Sequence, residues 1–307
     1  MKNILIATEK PFAPVAAEQM TDIFKEAGFT VSLLEKYTSG DELLSAVENV
    51  HALIVRSDKI TSEVISAAPH LDIIVRAGAG YDNIDLVAAS SKNIVVMNTP
   101  GQNSNAVAEL AFGLMIYMAR GLFSGKPGTE LRGKTLGILA YGHVGSMVAA
   151  IGKGFGMEVY AYDPFIPDGQ IKQDGVIPVA AMEGLFDKSQ YLSLHIPATD
   201  ETRKSINFTL LNRLPQGATL VNTARKEVID EDGLLKMFEE REDFRYVSDI
   251  APDCAPAIAE KYSGRFYFTP KKMGAQTAEA NINAGVAAAR QIVNFFNNGD
   301  TTFQVNK

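Results

Sequence analysis

Three arginines follow short apolar runs that predict β-strands. Arg56 ends "LIVR", Arg76 ends "IIVR", and Arg225 closes "LVNTAR". Open α/β sheets bind their ligands at the carboxyl ends of the strands. A planar guanidinium group can hold a carboxylate or a phosphate through two hydrogen bonds. The three arginines therefore predict a site for a small anionic substrate, with Arg225 placed to pair with a carboxylate across an interdomain cleft.

The neighbours of Arg56 and Arg76 extend this predicted site. Ser57 follows Arg56 directly, and Gly78 and Gly80 lie in the run "RAGAG". Glycines there would leave backbone N–H groups open to an anion. Surface ion pairs are the alternative role for the two arginines, and they explain either one alone better than both together.

A glycine turn predicts a dinucleotide site within residues 136–164, which run strand, turn, helix, strand. The turn matches G-x-G-x-x-G with alanine in first position, as Ala140-Tyr141-Gly142-His143-Val144-Gly145. Gly142 would let the backbone approach a pyrophosphate, and Gly145 would permit close packing of helix on strand. The helix N-terminus attracts the phosphates. Alanine is tolerable at position 140 if its φ angle is negative.

Asp163, at the end of the next strand, favours NAD over NADP as the cofactor. A carboxylate there can accept hydrogen bonds from the adenosine ribose and would repel a 2′-phosphate. No basic residue follows within Pro164-Phe165-Ile166. The alternative is a tight turn with a solvated aspartate, because the fingerprint alone has false positives.

Two lysines, Lys271 and Lys272, lie where a strand passes into a helix, in "FTPKKMGAQTAEAN" (268–281). Such junctions carry the chemistry of α/β proteins. Asp249 ends the preceding strand-like run, and its carboxylate could accept from a nicotinamide amide or cap the following turn. A solvated loop is the alternative interpretation of the lysines.

The elements that position these residues alternate along the chain, apolar run and helical pattern in turn. Strand-like runs occur in one set between residues 3 and 99 and in a second set between 134 and 269, separated by a long helical pattern and a polar linker at 124–133. This alternation predicts two doubly wound parallel sheets of the α/β class. A final helix is expected over about 275–297.

Composition and charge disfavour several classes of protein. The chain has 307 residues and a net charge of −7, which predict about two domains and disfavour nucleic acid or an anionic membrane as a partner. Its one cysteine, Cys254, cannot form an internal disulfide, and the apolar run at the N-terminus is too short for a signal peptide. The apolar stretch 106–123 is interrupted by Glu109 and Arg120, so it predicts a buried helix and not a membrane span. A cytoplasmic protein is expected.

Motifs along nearly the whole chain resemble the D-isomer-specific 2-hydroxyacid dehydrogenase family, and within it most closely the short form of D-3-phosphoglycerate dehydrogenase. They are "VRSDKIT" (55–61), "RAGAGYDNID" (76–85), "NTPGQNSNAVAEL" (98–110), the 136–164 fingerprint, "HIPATDET" (195–202), "VNTAR" (221–225) and "MGAQTAEA" (273–280). The resemblance implies a Rossmann NAD-binding domain (100–283) inserted into a flavodoxin-like substrate domain (1–99 and 284–307). It also implies a homodimer formed largely through the nucleotide domain, including the region around residues 100–125. The serine-binding regulatory domain of longer members is not expected.

The resemblance also assigns roles to residues of these motifs. Arg225 would hold the substrate carboxylate and polarise the reacting carbon, and Asp249 would contact the nicotinamide end. Arg56 and Arg76 would meet a phosphorylated substrate. Further cofactor contacts are implied for His195, Pro197, Thr202 and Thr223. For His195, a histidine bonded within its own strand-to-loop turn is an equal alternative.

The sequence departs from the family at the acid/base pair. The family uses a histidine in a T-P-H-x-G run, oriented by a glutamate five residues after the aspartate. Here the run is Thr269-Pro270-Lys271-Lys272-Met273-Gly274, one residue longer, and the glutamate position holds Cys254. The four histidines are elsewhere, at positions 51, 70, 143 and 195. Lys272 or Lys271 takes the histidine position, depending on the direction of alignment.

A lysine can act as the base only if its pKa falls from the usual value of about 10.4. Burial, the neighbouring lysine and Arg225 would lower that pKa, and a carboxylate partner would raise it. Loss of the glutamate together with the histidine is therefore coherent, and Asp253 is left as a weaker orienting group. Cys254 is expected to be a small buried residue and not a nucleophile, because no histidine is evident as its base.

Together with these features, the resemblance implies NAD-dependent oxidation of 3-phospho-D-glycerate to 3-phosphohydroxypyruvate, the entry to serine biosynthesis, with Lys272 by preference taking the hydroxyl proton. No metal site is predicted. One alternative is a reductase of glyoxylate, hydroxypyruvate or another D-2-hydroxyacid. The other is a catalytically weak NAD-binding module similar to the family's corepressors, which the presence of Arg225, Asp249 and Asp163 argues against.

Overall fold

The computed structural model describes residues 1–307, which form two compact units. The first comprises Met1–Asn103 and Gln276–Lys307, and the second comprises Ser104–Ala275. Each unit is an all-parallel sheet covered by helices, which confirms the prediction of two doubly wound α/β domains.

The first unit has a five-stranded sheet in the order β2-β1-β3-β4-β5, which is the flavodoxin-like order. Its strands are β1 (Asn3–Thr8), β2 (Thr30–Glu35), β3 (Ala52–Val55), β4 (Ile73–Arg76) and β5 (Val95–Asn98). Its helices are α1 (Pro14–Glu26), α2 (Gly40–Ala46), α3 (Ser62–Ala67), α4 (Leu86–Ser91) and the last helix of the chain, α12 (Ala278–Asn298).

Alternate residues of β1 pack into separate cores on the two faces of this sheet. Ile4 and Ile6 lie with Phe24 of α1 and residues of α12, whereas Leu5 and Ala7 lie in a core that α2, α3 and α4 line. Because both faces are covered, the central strands β1, β3 and β4 are apolar at almost every position. Arg56 and Arg76 come where β3 and β4 end, at one edge of the sheet.

The second unit has a seven-stranded sheet in the order β12-β11-β10-β9-β6-β7-β8. Its strands are β6 (Thr135–Leu139), β7 (Glu158–Tyr162), β8 (Ile177–Pro178), β9 (Tyr191–Leu194), β10 (Thr219–Asn222), β11 (Arg245–Ser248) and β12 (Phe266–Phe268). Its helices are α5 (Ser104–Ala119), α6 (His143–Gly154), α7 (Asp168–Gln173), α8 (Met182–Lys188), α9 (Phe208–Leu211), α10 (Glu231–Glu240) and α11 (Ala255–Lys261). The strand order reverses between β6 and β9, and such a switch point marks the ligand crevice of a Rossmann fold.

Helix α5 is the long apolar stretch of the sequence, and it is a core element of the second unit. Ala108, Ala111 and Met115 are fully buried in the core beneath α6 and the sheet. This confirms the prediction of a buried helix. No helix in the protein is both long and apolar enough to cross a membrane.

Candidate active site

The turn after β6 contains an alanine in a left-handed conformation. Ala140 has a φ angle of +74°, so the condition under which alanine is tolerable at this position, a negative φ, is not met. A residue with a Cβ pays about 1 kcal/mol or more in this region. The next residue holds the turn: the Tyr141 N–H donates to Asp163 Oδ2 at 2.8 Å, and its hydroxyl donates to Asp174 at 2.9 Å.

The two glycines of the turn have different surroundings, so the absence of a side chain has a different consequence at each. A Cβ on Gly145 would lie 2.2 Å from the Ala140 carbonyl oxygen, so only glycine lets α6 approach the turn this closely. A Cβ on Gly142 would meet nothing within 4 Å, which leaves open space beside the turn. Gly142 is the N-cap of α6, and no side chain caps that helix. The first N–H groups of α6, which include those of His143 and Val144, are thus available to an anion.

Asp163 anchors the turn through hydrogen bonds to backbone N–H groups, besides any contact that it makes with a ribose. Its Oδ1 accepts the N–H groups of Phe165 at 2.8 Å and Ile166 at 3.2 Å, and its Oδ2 accepts that of Tyr141. A carboxylate has about four lone-pair sites, so one remains for a ribose hydroxyl. Sequence reasoning missed this anchoring role, because the fingerprint does not show which backbone groups the aspartate meets.

Buried polar atoms without partners lie at the carboxyl ends of β9 and β10. They are Ser193 Oγ, His195 Nε2 and Thr223 Oγ1. The His195 N–H continues the sheet by donating to Leu139 O at 2.9 Å. Burial lowers the pKa of His195 to about 3, so its imidazole is neutral at neutral pH. An unpaired buried polar atom costs about 1–3 kcal/mol, and a polar ligand at this edge would remove that cost.

Thr202 shapes the loop that carries Pro197. The Thr202 hydroxyl donates to the Pro197 carbonyl oxygen at 2.5 Å and accepts the Thr199 N–H at 2.7 Å. Pro197 itself is exposed. The side chain of Thr202 is therefore used to close the loop, and Pro197 presents a rigid apolar surface beside His195.

Lys272 and Arg225 converge on one backbone oxygen of the second unit. Lys272 Nζ donates to Ala224 O at 3.2 Å, and Arg225 Nη1 donates to the same atom at 3.0 Å. Buried Asn222 builds the turn, because its side chain donates to Arg225 O at 2.9 Å and accepts the Ala224 N–H at 3.0 Å. Asn222 lies in the motif "VNTAR" but had not been singled out, and its burial after a strand was the available signal.

Asp249 contacts the lysine-bearing loop. Its carboxylate is only 1% exposed and accepts the N–H groups of Met273 and Gly274, each at 2.7 Å. This loop lies 24 residues further along the chain and is not the turn that follows Asp249, so the expected cap of the following turn was wrong. Lys271 and Lys272 are both exposed, so the burial invoked for a catalytic lysine is not found. The Lys271 carbonyl oxygen accepts the Thr269 hydroxyl at 2.8 Å. Lys272 is the lysine whose amine donates beside Arg225.

The residues around Cys254 are structural. Asp253 forms an ion pair with Lys226 at 2.5 Å, so its carboxylate is already engaged. Glu231 accepts the N–H groups of Asp253 and Cys254 at 2.8 and 2.7 Å. Burial and the Glu231 charge raise the pKa of the Cys254 thiol to about 12. The thiol stays protonated, in agreement with the expectation that it is not a nucleophile.

Within the first unit, Arg56 is held by its surroundings on several sides. Its Nη1 donates to the carbonyl oxygens of Lys10 and Pro11, both at 3.1 Å, and its Nη2 donates to Asn281 Oδ1 at 2.5 Å. The guanidinium also lies over the Phe12 ring. Burial lowers the pKa of Arg56 and the Asp58 charge opposes this, but an arginine stays cationic in proteins. These contacts orient the group and leave only part of its fork for a ligand.

Arg76 lies against Arg56 and folds over Gly78. Its Nε donates to the Arg56 carbonyl oxygen at 3.0 Å. A Cβ on Gly78, whose φ is +146°, would lie 1.3 Å from Arg76 Nη1. Gly78 is therefore needed to seat the arginine, a reason that differs from the predicted open N–H group. Ser57 is exposed and Gly80 is half-buried in the same unit.

A buried carboxylate, which sequence reasoning missed, braces the Arg56 loop. Asp58 is 4% exposed and accepts the Tyr37 hydroxyl at 2.8 Å, the Glu9 N–H at 2.7 Å and the Arg56 N–H at 3.1 Å. Its sequence neighbours Ser57 and Lys59 are polar and exposed, so no signal in the sequence showed that Asp58 is buried.

Comparison with known proteins places this geometry in a family. The family described as D-isomer specific 2-hydroxyacid dehydrogenase, catalytic domain, matches residues 5–306. A hydroxypyruvate reductase of Thermotoga maritima is 36% identical over 285 residues, covering 87% of this chain and 90% of that protein. A D-3-phosphoglycerate dehydrogenase of Haemophilus influenzae is 33% identical, covering 93% of this chain and 74% of that protein. The D-3-phosphoglycerate dehydrogenase of Methanocaldococcus jannaschii is 35% identical, and the match spans only 51% of its length.

Solved structures agree with these relatives. A 3-phosphoglycerate dehydrogenase of Entamoeba histolytica with bound NAD+ is 47% identical, with a TM-score of 0.90 and coverage of 100% of this chain and 99% of that chain. A D-2-hydroxyisocaproate dehydrogenase is 21% identical with a TM-score of 0.82, covering 99% of this chain and 100% of that chain. The second likeness shows the shared fold alone.

Proposed function

The chain belongs to the D-isomer specific 2-hydroxyacid dehydrogenase family, and from that premise we propose that it catalyses NAD-dependent oxidation of 3-phospho-D-glycerate to 3-phosphohydroxypyruvate, the entry to serine biosynthesis. The similarity to the NAD+-bound 3-phosphoglycerate dehydrogenase supports both cofactor and substrate. Within the chain, the proximity of Arg56 and Arg76 is the observation that favours a phosphorylated substrate. Arg76 Nε donates to the Arg56 carbonyl oxygen at 3.0 Å, which keeps the two residues together. Two cations at neighbouring strand ends suit a doubly charged phosphate.

The residues of the second unit fit NAD. The open space at Gly142, the uncapped N-terminus of α6, the acidic Asp163 and the unpaired atoms of His195 and Thr223 match its phosphates, ribose and polar edges. When bound, NAD would accept the hydride from C2 of the substrate. The carboxylate Asp163 would disfavour the 2′-phosphate of NADP.

Side chains of the protein bind the substrate and take up the proton. Arg225 binds the substrate carboxylate and places C2 next to the polar groups of the turn. Lys272, beside Arg225, takes the proton of the C2 hydroxyl as general base. Arg56 and Arg76 bind the phosphate. Lys271, whose amine does not share the Ala224 oxygen with Arg225, has no part in the proton transfer.

An absorbance assay of NADH formation tests the substrate. It compares 3-phospho-D-glycerate with D-glycerate and D-lactate, and in reverse with hydroxypyruvate and glyoxylate. Arg56→Ala combined with Arg76→Ala should raise KM for the phosphorylated substrate sharply. Lys25→Ala, which removes an exposed cation of α1, is the matched control and should leave KM unchanged.

Unchanged kinetics in the double arginine variant would favour the second candidate, a hydroxypyruvate or glyoxylate reductase. The Thermotoga relative supports that alternative, since it is 36% identical over most of both chains. NAD binding without turnover on any of these acids would instead indicate a non-catalytic binding module.

We further propose that the protein is a homodimer that associates through the second unit around residues 100–125. Phe123 is 65% exposed there and follows Leu122, and both have positive φ angles. A large exposed aromatic side chain in a strained turn suits an interface. Light scattering should give twice the 33.2 kDa chain mass for the wild type and a smaller mass for Phe123→Glu.

A further inference from the structure

We infer that Asp249 is a positioning residue for Lys272, acting through the loop that carries the lysine. This inference rests on the proposed role of Lys272 as the base. It differs from the role that family resemblance gives to Asp249, which is a contact with the nicotinamide end.

The loop is hydrogen-bonded to both oxygens of the Asp249 carboxylate. Oδ1 accepts the Met273 N–H and Oδ2 accepts the Gly274 N–H, each at 2.7 Å. The two carboxylate oxygens are therefore hydrogen-bonded to the two consecutive backbone N–H groups that directly follow Lys272. Hydrogen bonds of this charge-assisted kind are among the strong ones, and burial excludes competing water.

The other end of the loop is fixed as well. The Thr269 N–H donates to Ser248 O at 3.1 Å, which continues the β11–β12 pairing. The Thr269 hydroxyl donates its one proton to Lys271 O at 2.8 Å, with Asp249 Oδ1 a longer contact at 3.2 Å. Only Pro270, Lys271 and Lys272 lie between the two fixed ends, so the position of Lys272 is set by them.

Gly274 permits the close approach that these hydrogen bonds require. A Cβ at position 274 would lie 2.9 Å from Asp249 Oδ2 and 3.1 Å from Val107 Cγ2. Any larger residue would push the loop off the carboxylate. The hydrogen bonding between Asp249 and the loop therefore depends on glycine at position 274.

The contact determines where the amine lies. With the loop held, Lys272 Nζ reaches Ala224 O beside Arg225. In an Asp249→Asn variant the amide has one acceptor oxygen and one N–H₂ group, so one loop amide would face a donor. The loop should shift while the side-chain volume at 249 is unchanged.

The test is a double-mutant cycle with Asp249→Asn, Lys272→Met and the pair combined, assayed with 3-phospho-D-glycerate and NAD. Asp249→Asn alone should lower kcat by about 10- to 100-fold, since displacement of a catalytic group by about 1 Å has effects of that size. Its solvent deuterium isotope effect on kcat should rise above that of the wild type, and the Kd of NADH should be unchanged. In the Lys272→Met background the same change should have no further effect on kcat.

Asp243→Asn is the matched control, because Asp243 also accepts a backbone N–H, that of Gly217 at 2.6 Å, elsewhere in the same unit. It should keep the wild-type kcat. Gly274→Ala offers a second route to the same contact and should reproduce the lower kcat if Asp249→Asn fails to fold.

Two results would overturn the inference while leaving the proposed function intact. One is an additive effect of Asp249→Asn and Lys272→Met on kcat, and the other is a raised Kd of NADH with an unchanged solvent isotope effect. Either would place Asp249 on the cofactor. Full activity of Lys272→Met would remove the proposed base itself, and the inference with it.

Discussion

Lys272 Nζ and Arg225 Nη1 donate to the same carbonyl oxygen, that of Ala224, at 3.2 and 3.0 Å. The shared acceptor keeps the ammonium and guanidinium nitrogens no more than about 6 Å apart. A substrate whose carboxylate pairs with Arg225 would present its neighbouring C2 hydroxyl to that amine. Two side chains separated by 47 positions in the sequence are thereby brought to one backbone oxygen.

The two lysines should differ in mutational effect. Lys272→Met should lower kcat for 3-phospho-D-glycerate by about 100-fold or more, the contribution of a general base, whereas Lys271→Met should stay close to wild type because it is the Lys272 amine that donates to Ala224 O beside Arg225. Oxidation catalysed by the wild type should rise with pH as the base becomes neutral, and that rise should be absent from the residual activity of Lys272→Met. NADH absorbance across a pH series measures both. Equal losses in the two variants would contradict the assignment.

Gly78 should be required for binding of the phosphorylated substrate. In Gly78→Ala the new Cβ would occupy the place of Arg76 Nη1, only 1.3 Å away, so the guanidinium must move off its site. KM for 3-phospho-D-glycerate should rise by about 10-fold or more, the usual loss on displacing a charge-assisted contact. Gly40→Ala is the control, since a Cβ there meets nothing within 4 Å. A wild-type KM in Gly78→Ala would show that Arg76 does not bind the substrate.

Ala140→Gly should stabilise the second unit. The alanine has a φ of +74°, where a Cβ is disfavoured and glycine is not. Relief of that strain exceeds the added chain entropy of glycine, so unfolding should become about 0.5–1 kcal/mol less favourable and Tm should rise by about 1–3 °C. Thermal and denaturant unfolding measure the change.

The comparison for this prediction is Ala149→Gly, in the interior of α6. Helical glycine costs about 1 kcal/mol relative to alanine, so that variant should lose stability. If both alanine-to-glycine changes destabilise the protein equally, the turn is not strained in solution.

The fold followed from sequence because its long elements carry strong patterns. The continuous apolar runs of β3 and β4 and the apolar length of α5 were correctly predicted, since burial on both sides of an element leaves little room for polar residues. The two-residue strand β8 and the single-turn helix α9 were not predicted. Such short elements exist because neighbours hold them, and no periodicity can show in so few residues.

The site was predictable in its residue types and less so in its contacts. Arg56, Arg225 and Asp163 stand out by their place after apolar runs. The anchoring roles of Asp58 and Asp249 do not, because each depends on backbone N–H groups that tertiary packing brings to a buried carboxylate. The conformation of Ala140 was likewise set by packing, through the close approach of Gly145 to its carbonyl oxygen.

His195 should make stability fall as the solution is acidified. Burial lowers the pKa of the folded histidine to about 3, whereas an unfolded histidine titrates near the usual value of 6.5. Between these two values the unfolded state binds one more proton than the folded state, so acid favours unfolding, by at most about 1.4 kcal/mol per pH unit. Above pH 6.5 both states are neutral and the contribution vanishes.

Carboxylates also titrate toward the lower end of this window, so the informative quantity is a difference between variants. The unfolding free energy of the cofactor-free wild type minus that of His195→Asn should fall as pH is lowered from 7 to 4, because asparagine takes up no proton. His70→Asn, which changes an exposed histidine, should run parallel to the wild type. Parallel curves for His195→Asn would mean that the imidazole takes up a proton in the folded protein, despite the burial of its Nε2 atom.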